Sequence, residues 1–281
     1  MHQDSSHRPA IWAFGAGSLL AIILGAAVMA QADIPLSIWI RNPIAWFVAA
    51  AIGAFMASRG WFGIGAIVFA VVVVGLSNVG PGQEGVFRWI GAGPVQLNAA
   101  ALVLPVAIAA CTTSRAWIAA LCFVVIGVVI ARQPDISQLA GFVIASAILF
   151  AAAFRWMGAL AALIIGVALV AYCLMQPDPL LPVPHVEGIL QLAFDQSLVL
   201  GIAMATALGL TVACPLLLLR SADLRWRALA LSGYLAATTV APLFGAYPVP
   251  LAGYGLSFVI GWVLGFASLA TRRPVNSLTS A

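Results

Sequence analysis

The segment Pro182-Val183-Pro184-His185-Val186-Glu187-Gly188 leads into an apolar run in which Glu187, Gln191 and Asp195 recur at four-residue spacing. On a helix that spacing aligns the three side chains along one face. A carboxylate in a hydrophobic segment is costly unless it faces a bundle interior or a wet cavity. Near a helix N-terminus, Glu187 is also favoured as the anion by the helix dipole. The chemistry such a group offers is proton abstraction at a polar cavity. The plainer reading is that Glu187 and Asp195 cap or solvate a helix start at headgroup level, and for Asp195 the two readings balance. His185 has no second histidine nearby and reads as a surface or capping group.

Three further polar sites accompany this one. Arg88-Trp89 pairs a guanidinium fork, suited to a phosphate, with an aromatic ring; on spacing alone it is an interfacial anchor. Arg132-Gln133-Pro134-Asp135 reads as a turn with Asp135 capping the next helix. Tyr254-Gly255-Leu256-Ser257 opens the last apolar run. No phosphate-binding glycine loop, His-Glu-x-x-His or Gly-x-Ser-x-Gly is present. Cys111, Cys122, Cys173 and Cys214 lack metal-ligand spacing and read as small apolar packing groups; no metal site is expected, and the sequence names no cofactor.

The elements that carry these residues follow from composition. With 64% hydrophobic and 7% charged residues among 281, and a mean hydropathy of +1.12, the chain cannot be a water-soluble globule. A bilayer core about 30 Å thick takes roughly 20 apolar residues per helical crossing. The apolar runs place spans near 11–31, 43–58, 61–78, 96–112, 116–131, 136–153, 156–174, 187–219, 225–245 and 252–270. The expected fold is an all-α integral membrane protein of about ten transmembrane helices in one bundle. A membrane domain over 11–271 lies between tails 1–10 and 272–281.

Charge sets the orientation. A cytoplasmic N-terminus puts Arg8, Arg59, Arg115, Arg155, Arg220, Arg225, Arg227, Arg272 and Arg273 inside and Arg41, Arg88 and Arg132 outside. Nine against three satisfies the positive-inside rule, so both termini are expected in the cytoplasm. Asp33, Glu84, Asp135, Asp178, Glu187 and Asp195 lean outward, which gathers all four polar sites on the outer face. With no basic stripe, no nucleic-acid surface is expected. Ala30-Gln31-Ala32 imitates a signal-peptide cleavage site, but the run before it is about twenty residues long and its leader holds Asp4 as well as Arg8, which favours a retained span.

These motifs, in this order, resemble the SEDS family of FtsW/RodA/SpoVE-like membrane proteins for shape, elongation, division and sporulation. The resemblance rests on Arg88-Trp89-Ile90 with Gly93-Pro94, Gln133-Pro134-Asp135, and Arg155-Trp156. It continues through Leu181-Pro182, His185 to Ile189, Asp195-Gln196 and Gly201, and then Pro248-Val249-Pro250 with Tyr254-Gly255-Leu256-Ser257. It is specific over about 82–271. The aspartate considered catalytic in the family falls on Glu187.

The resemblance implies a multi-pass protein of the bacterial inner membrane that polymerises lipid II, the polyprenyl-pyrophosphate-linked disaccharide precursor of peptidoglycan, in division or cell-shape control. It implies membrane lipids and a single-span transpeptidase (penicillin-binding protein) as partners. Glu187 takes the catalytic role, while Arg88, Arg132, Asp135, Gln191, Asp195, Tyr254 and Ser257 bind substrate. Three departures support the alternative of a catalytically silent relative that binds lipid II or scaffolds a cell-wall complex. Only about a dozen residues separate Leu174 from Glu187 where the family has a long loop; the catalytic aspartate is a glutamate; and the family's Glu and Lys in the fourth span are replaced by apolar residues in Asn98 to Leu104. A transporter is disfavoured, since no inverted repeat is visible.

Overall fold

The computed structural model describes residues 7–92, 95–112 and 116–270. Arg115, Arg272, Arg273, Gly93-Pro94 and the C-terminal tail lie outside the described residues. In chain order come α1 (Arg8–Gln31), the single turn α2 (Leu36–Trp39), α3 (Arg41–Arg59), α4 (Ile64–Leu76), strands β1 (Trp89–Ala92) and β2 (Val95–Asn98), and α5 (Ala99–Ala110). They are followed by α6 (Ala116–Arg132), α7 (Ile136–Leu174), α8 (Ile189–Gln196), α9 (Leu198–Ala213), α10 (Arg225–Val240) and α11 (Leu256–Leu269). Local rules set several ends. Proline sits in the first turn of α1, where its missing N–H costs no hydrogen bond, and Gly60 closes α3 in the left-handed conformation at φ 67°.

Helix α7 contains a reversal. Its 39 residues would make a rod of about 58 Å, far more than a bilayer core. At Arg155 the backbone leaves helical geometry, with φ 61° and ψ −156°, and the chain turns back on itself. Gly158 lies against the Phe150 carbonyl and Gly166 against the Val143 side chain, so the halves 136–154 and 156–174 pack as a hairpin. They form two crossings, as the sequence pattern expects. Four helical stretches are long and apolar enough to cross a membrane by themselves, and the shorter apolar helices complete an all-α bundle of about ten crossings.

The shortest of these helices lie at the centre. α5 packs on α11, α4 and α10, and ten of its twelve residues are buried. It is apolar all round because it is covered all round. Contact with α11 is close because Gly261 and Gly265, four residues apart, face the Ala101 carbonyl and Pro105 without a side chain between. Peripheral surfaces are also apolar, as lipid contact requires: Ile164, Val167, Leu174 and Val199 are all exposed.

At the arginine-rich end, the buried Arg227 of α10 donates through Nε to the Ala109 carbonyl and through Nη2 to the Ser268 carbonyl at 3.3 Å. A cation thus joins the C-terminal ends of α5 and α11, where unpaired carbonyls and the negative dipole ends collect. Alternation of the crossings puts the exposed Trp12, Trp61, Trp117, Trp156 and Trp226 at this same end, each close in sequence to an arginine. Aromatic rings there suit a membrane interface.

Two expected spans are corrected. The fourth does not begin at 96: Trp89–Ala92 and Val95–Asn98 pair as the antiparallel strands of a hairpin, with Trp89 opposite Asn98, and the helix starts at Ala99. Twelve residues give α5 a length of about 18 Å, too short to reach the outer surface. The hairpin carries the chain on from there, with Trp89, Ile90, Leu97 and Asn98 half-buried and Gly91, Val95 and Gln96 exposed. The eighth is broken: Ser197 is extended at φ −165°, ψ 132°, between α8 and α9. Gly201 lets the Phe194 ring fold over the break, and Gln196 Nε2 donates to the Val28 carbonyl of α1 at 3.0 Å.

The α5–α11 contact gives a direct test of this packing. Gly261→Ala puts a methyl group into the Ala101 carbonyl and is expected to lower the thermal unfolding midpoint in detergent, at a cost of about 1–3 kcal/mol. Gly209→Ala, on an exposed face of α9 with no neighbour within 4 Å, is expected to be neutral or stabilising by up to about 1 kcal/mol.

Candidate functional site

Helices α5, α7, α8 and α11 all begin at the end opposite Arg227, and residues at or just before their starts line one cavity of about 530 Å³. Its wall includes Arg88, Asn98, Asp135, Asp178, Glu187, Tyr254 and Ser257. Two of its polar lining groups, Asn98 and Asp135, close helix ends.

Asp135 is 3% exposed and caps α7. Its Oδ1 accepts from the Gln138 N–H at 3.4 Å and the Ser137 hydroxyl at 3.2 Å, while Oδ2 accepts from Asn98 Nδ2 at 2.7 Å. Asn98 in turn caps α5, its Oδ1 accepting from the Ala101 N–H at 2.9 Å. One amide and one carboxylate therefore tie two helix starts together. Gln133, before the Pro134 turn, donates to Ser77 Oγ at 2.6 Å and holds α7 beside the end of α4.

Glu187 lies outside α8, in the turn just before Gly188. Its own N–H donates to the Val183 carbonyl at 3.0 Å, and its Oε2 accepts the Val183 N–H at 2.7 Å. The segment before α11 clamps this turn: the Val249 N–H donates to the Val186 carbonyl at 3.1 Å and the Tyr254 N–H to the His185 carbonyl at 2.9 Å. Gly253 permits this approach, because a Cβ there would strike the Val186 carbonyl. Tyr254 Oη accepts from Arg41 Nη1 at 3.0 Å, and Asn42 holds the same segment through the Gly253 carbonyl at 2.8 Å. Burial raises the proton affinity of Glu187 above the ordinary glutamate value; the backbone N–H groups of Val183 and of Glu187 itself, and then Arg88, oppose the shift, and Asp178 adds to it. Burial lowers that of His185.

Arg88 is 8% exposed, rests on the Trp89 ring at 5.3 Å and donates from Nη2 to Asp178 Oδ2 at 2.5 Å. The hairpin positions it, the Ala99 N–H at the start of α5 donating to its carbonyl at 3.0 Å. The arrangement offers a fixed cation, a carboxylate that holds its proton more tightly than usual, and the positive ends of several helices. Those are the parts needed to bind a phosphorylated group and to move a proton beside it.

Of the expected site residues, the structure brings Arg88, Asp135, Glu187, Tyr254 and Ser257 to one cavity wall. Arg132 does not line it: as the last residue of α6 it is exposed. Gln191 and Asp195 do not line it either. They bond to each other at 2.8 Å on the exposed face of α8, because the stripe breaks at Gly188 and helical periodicity does not extend back to Glu187. Gln83, Gln96 and Asn98 were missed by motif reading. Asn98 carries a usable signal, an asparagine just before an apolar helical run. Among the described residues no group of three or more His, Cys, Asp or Glu could hold a metal ion.

These features define a multi-span, all-α membrane protein with a polar cavity at the bundle end opposite Arg227. The chain has the SEDS fold. The crystal structure of the rod shape determining protein RodA of Thermus thermophilus superposes with a TM-score of 0.71 at 19% identity, over 92% of this chain and 95% of that one. An aspartate-to-alanine mutant of that protein gives 0.68 at 18% identity, covering 92% and 96%. A chain from a peptidoglycan synthase complex that coordinates polymerization and crosslinking gives 0.63 at 18%, again covering 92% and 96%. No family model matches the sequence, and no curated protein is significantly similar to it.

The capping network predicts its own dependence on Asp135. Asp135→Ala removes the α7 cap and strands Asn98 Nδ2, and is expected to cost about 1–2 kcal/mol in detergent unfolding. Asp135→Asn keeps an acceptor for the α7 cap and is expected to cost less.

Proposed function

We propose that this chain is a compact SEDS-type glycosyltransferase of the bacterial inner membrane, extending a glycan from a polyprenyl-pyrophosphate-linked disaccharide such as lipid II at the outer face. The observation that carries this reading is the meeting, in one cavity, of the buried Arg88 with the proton-retaining Glu187. In this role Glu187 takes the proton of an acceptor sugar hydroxyl as its oxygen bonds to the donor's anomeric carbon. The bond from that carbon to the pyrophosphate oxygen breaks, and the leaving pyrophosphate takes the electron pair. Arg88 and the helix N-termini stabilise its charge. Asp135 and Ser257 shape the wall, and Tyr254 holds the Glu187 turn.

The same reading takes residues 11–271 as the membrane domain, with both ends of the chain cytoplasmic and the tryptophan-rich end facing inward. A single-span transpeptidase is its expected partner, joining the glycan strands it makes. The silent, lipid-binding reading draws on a specific observation: Glu187 Oε2 is committed to Val183 and Arg88 to Asp178, so each group must release a resident contact before acting.

The test is polymerisation of lipid II by the protein in nanodiscs, with and without a co-expressed transpeptidase. Wild type is expected to form glycan, and Glu187→Gln to lose at least about a hundredfold in rate, within the range of a positioned base. Lipid II bound without polymer under all conditions would establish the silent reading. The base must be ionised, and its proton affinity is raised, so activity is expected to rise with pH along an acid limb above the ordinary glutamate value. Arg88→Lys retains the charge and is expected to leave that limb in place while slowing turnover; Arg88→Gln should move it further upward.

A further inference from the structure

Arg88 is a buried cation with few partners. A guanidinium carries five N–H donors. Among the described residues its one hydrogen bond goes from Nη2 to Asp178, and the buried Nε has none. Its counter-ion is held differently. The Asp178 side chain is 35% exposed against 10% for that of Arg88. It sits on the short loop 175–188, where Oδ1 accepts the Leu180 N–H at 3.3 Å. Both residues line the cavity. The cation belongs to the wall, whereas the carboxylate stands where water can receive it.

We infer that Asp178 is a resident counter-ion that competes with the lipid's phosphate: its carboxylate occupies Arg88 until a polyprenyl pyrophosphate replaces it, so it sets how tightly the cavity takes that group. This rests on the reading of the cavity as a prenyl-pyrophosphate site. A single phosphate that displaces Asp178 exchanges one charge-assisted pair for another and gains little. A second phosphoryl group engages what Asp178 leaves unfilled, the remaining Nη donors of Arg88 and the positive start of α11, which has no side-chain cap. Release of the carboxylate is inexpensive because it moves only to the rim. Four prolines at 177, 179, 182 and 184 stiffen the loop, so exchange requires rotation of the Asp178 side chain and no refolding.

The test measures binding of undecaprenyl pyrophosphate and undecaprenyl monophosphate to the full chain in phosphatidylcholine nanodiscs, read by tryptophan fluorescence. Wild type is expected to prefer the pyrophosphate by about tenfold or more, the scale of one charge-assisted hydrogen bond. Asp178→Asn frees Arg88 and should tighten both lipids by about tenfold, the pyrophosphate at least as much as the monophosphate. Asp178→Glu keeps the charge and should keep the wild-type affinities. Affinities unchanged or weakened in Asp178→Asn overturn the role of Asp178 and leave the pyrophosphate site standing. Wild type that binds neither lipid overturns the reading beneath it. A second arm needs no variant: inorganic pyrophosphate should displace the bound monophosphate lipid at about one tenth of the concentration needed with inorganic phosphate, and equal potency overturns the pyrophosphate reading.

Discussion

Every helix that starts inside a membrane protein leaves backbone N–H groups without intrahelical partners, and lipid cannot supply them. The site depends on how this chain meets that requirement. α5, α7, α8 and α11 start at one end of the bundle; polar side chains close the first two, and glycines open the others without a side-chain cap. Asn98 and Asp135 serve two helices through one contact, and Glu187 closes its own turn ahead of α8. A cavity with positive helix ends beside a buried acidic cap follows from the same requirement. At the opposite end Arg227 meets the complementary problem of unpaired carbonyls.

The caps and the charges compete for the same volume. Burial makes Glu187 hold its proton, Arg88 works against that, and Asp178 restores part of it. These opposing influences leave a carboxylate that is a better base than an ordinary surface glutamate, because a base gains strength as its conjugate acid becomes weaker. The contact with Val183 both positions Glu187 and restrains it. The short proline-bearing loop has a parallel effect on Arg88, bringing Asp178 to it across ninety residues of sequence.

Compactness has a further consequence. Among the described residues, the segment 80–88, the hairpin, the loop 175–188 and the segment before α11 surround the cavity above the helix starts. Two backbone hydrogen bonds, from Val249 and Tyr254, hold the Glu187 turn, and Asn42 anchors the segment that makes them. An apolar groove of about 370 Å³ between α6 and the two halves of α7 carries no ionisable group and belongs with the lipid-facing surface.

The class and crossing pattern were legible in the amino acids because hydrocarbon imposes a one-dimensional rule, about twenty apolar residues per crossing, that needs no knowledge of neighbours. The arginine distribution, the separate crossings on either side of Arg155, and the membership of Arg88, Asp135, Glu187, Tyr254 and Ser257 in one polar end could be read the same way. The motif order of a SEDS-type chain was also visible, and the fold agrees with it. Tertiary structure alone decided that α5 stops short and hands over to a hairpin, since only burial by α4, α10 and α11 makes a twelve-residue crossing tolerable. It also separated Glu187 from Gln191 and Asp195, because periodicity holds only while the backbone is helical and Gly188 interrupts it. The pairing of Arg88 with Asp178 had no local signature, for an ion pair formed by folding depends on where two distant loops meet, and spacing along the chain carries no record of that.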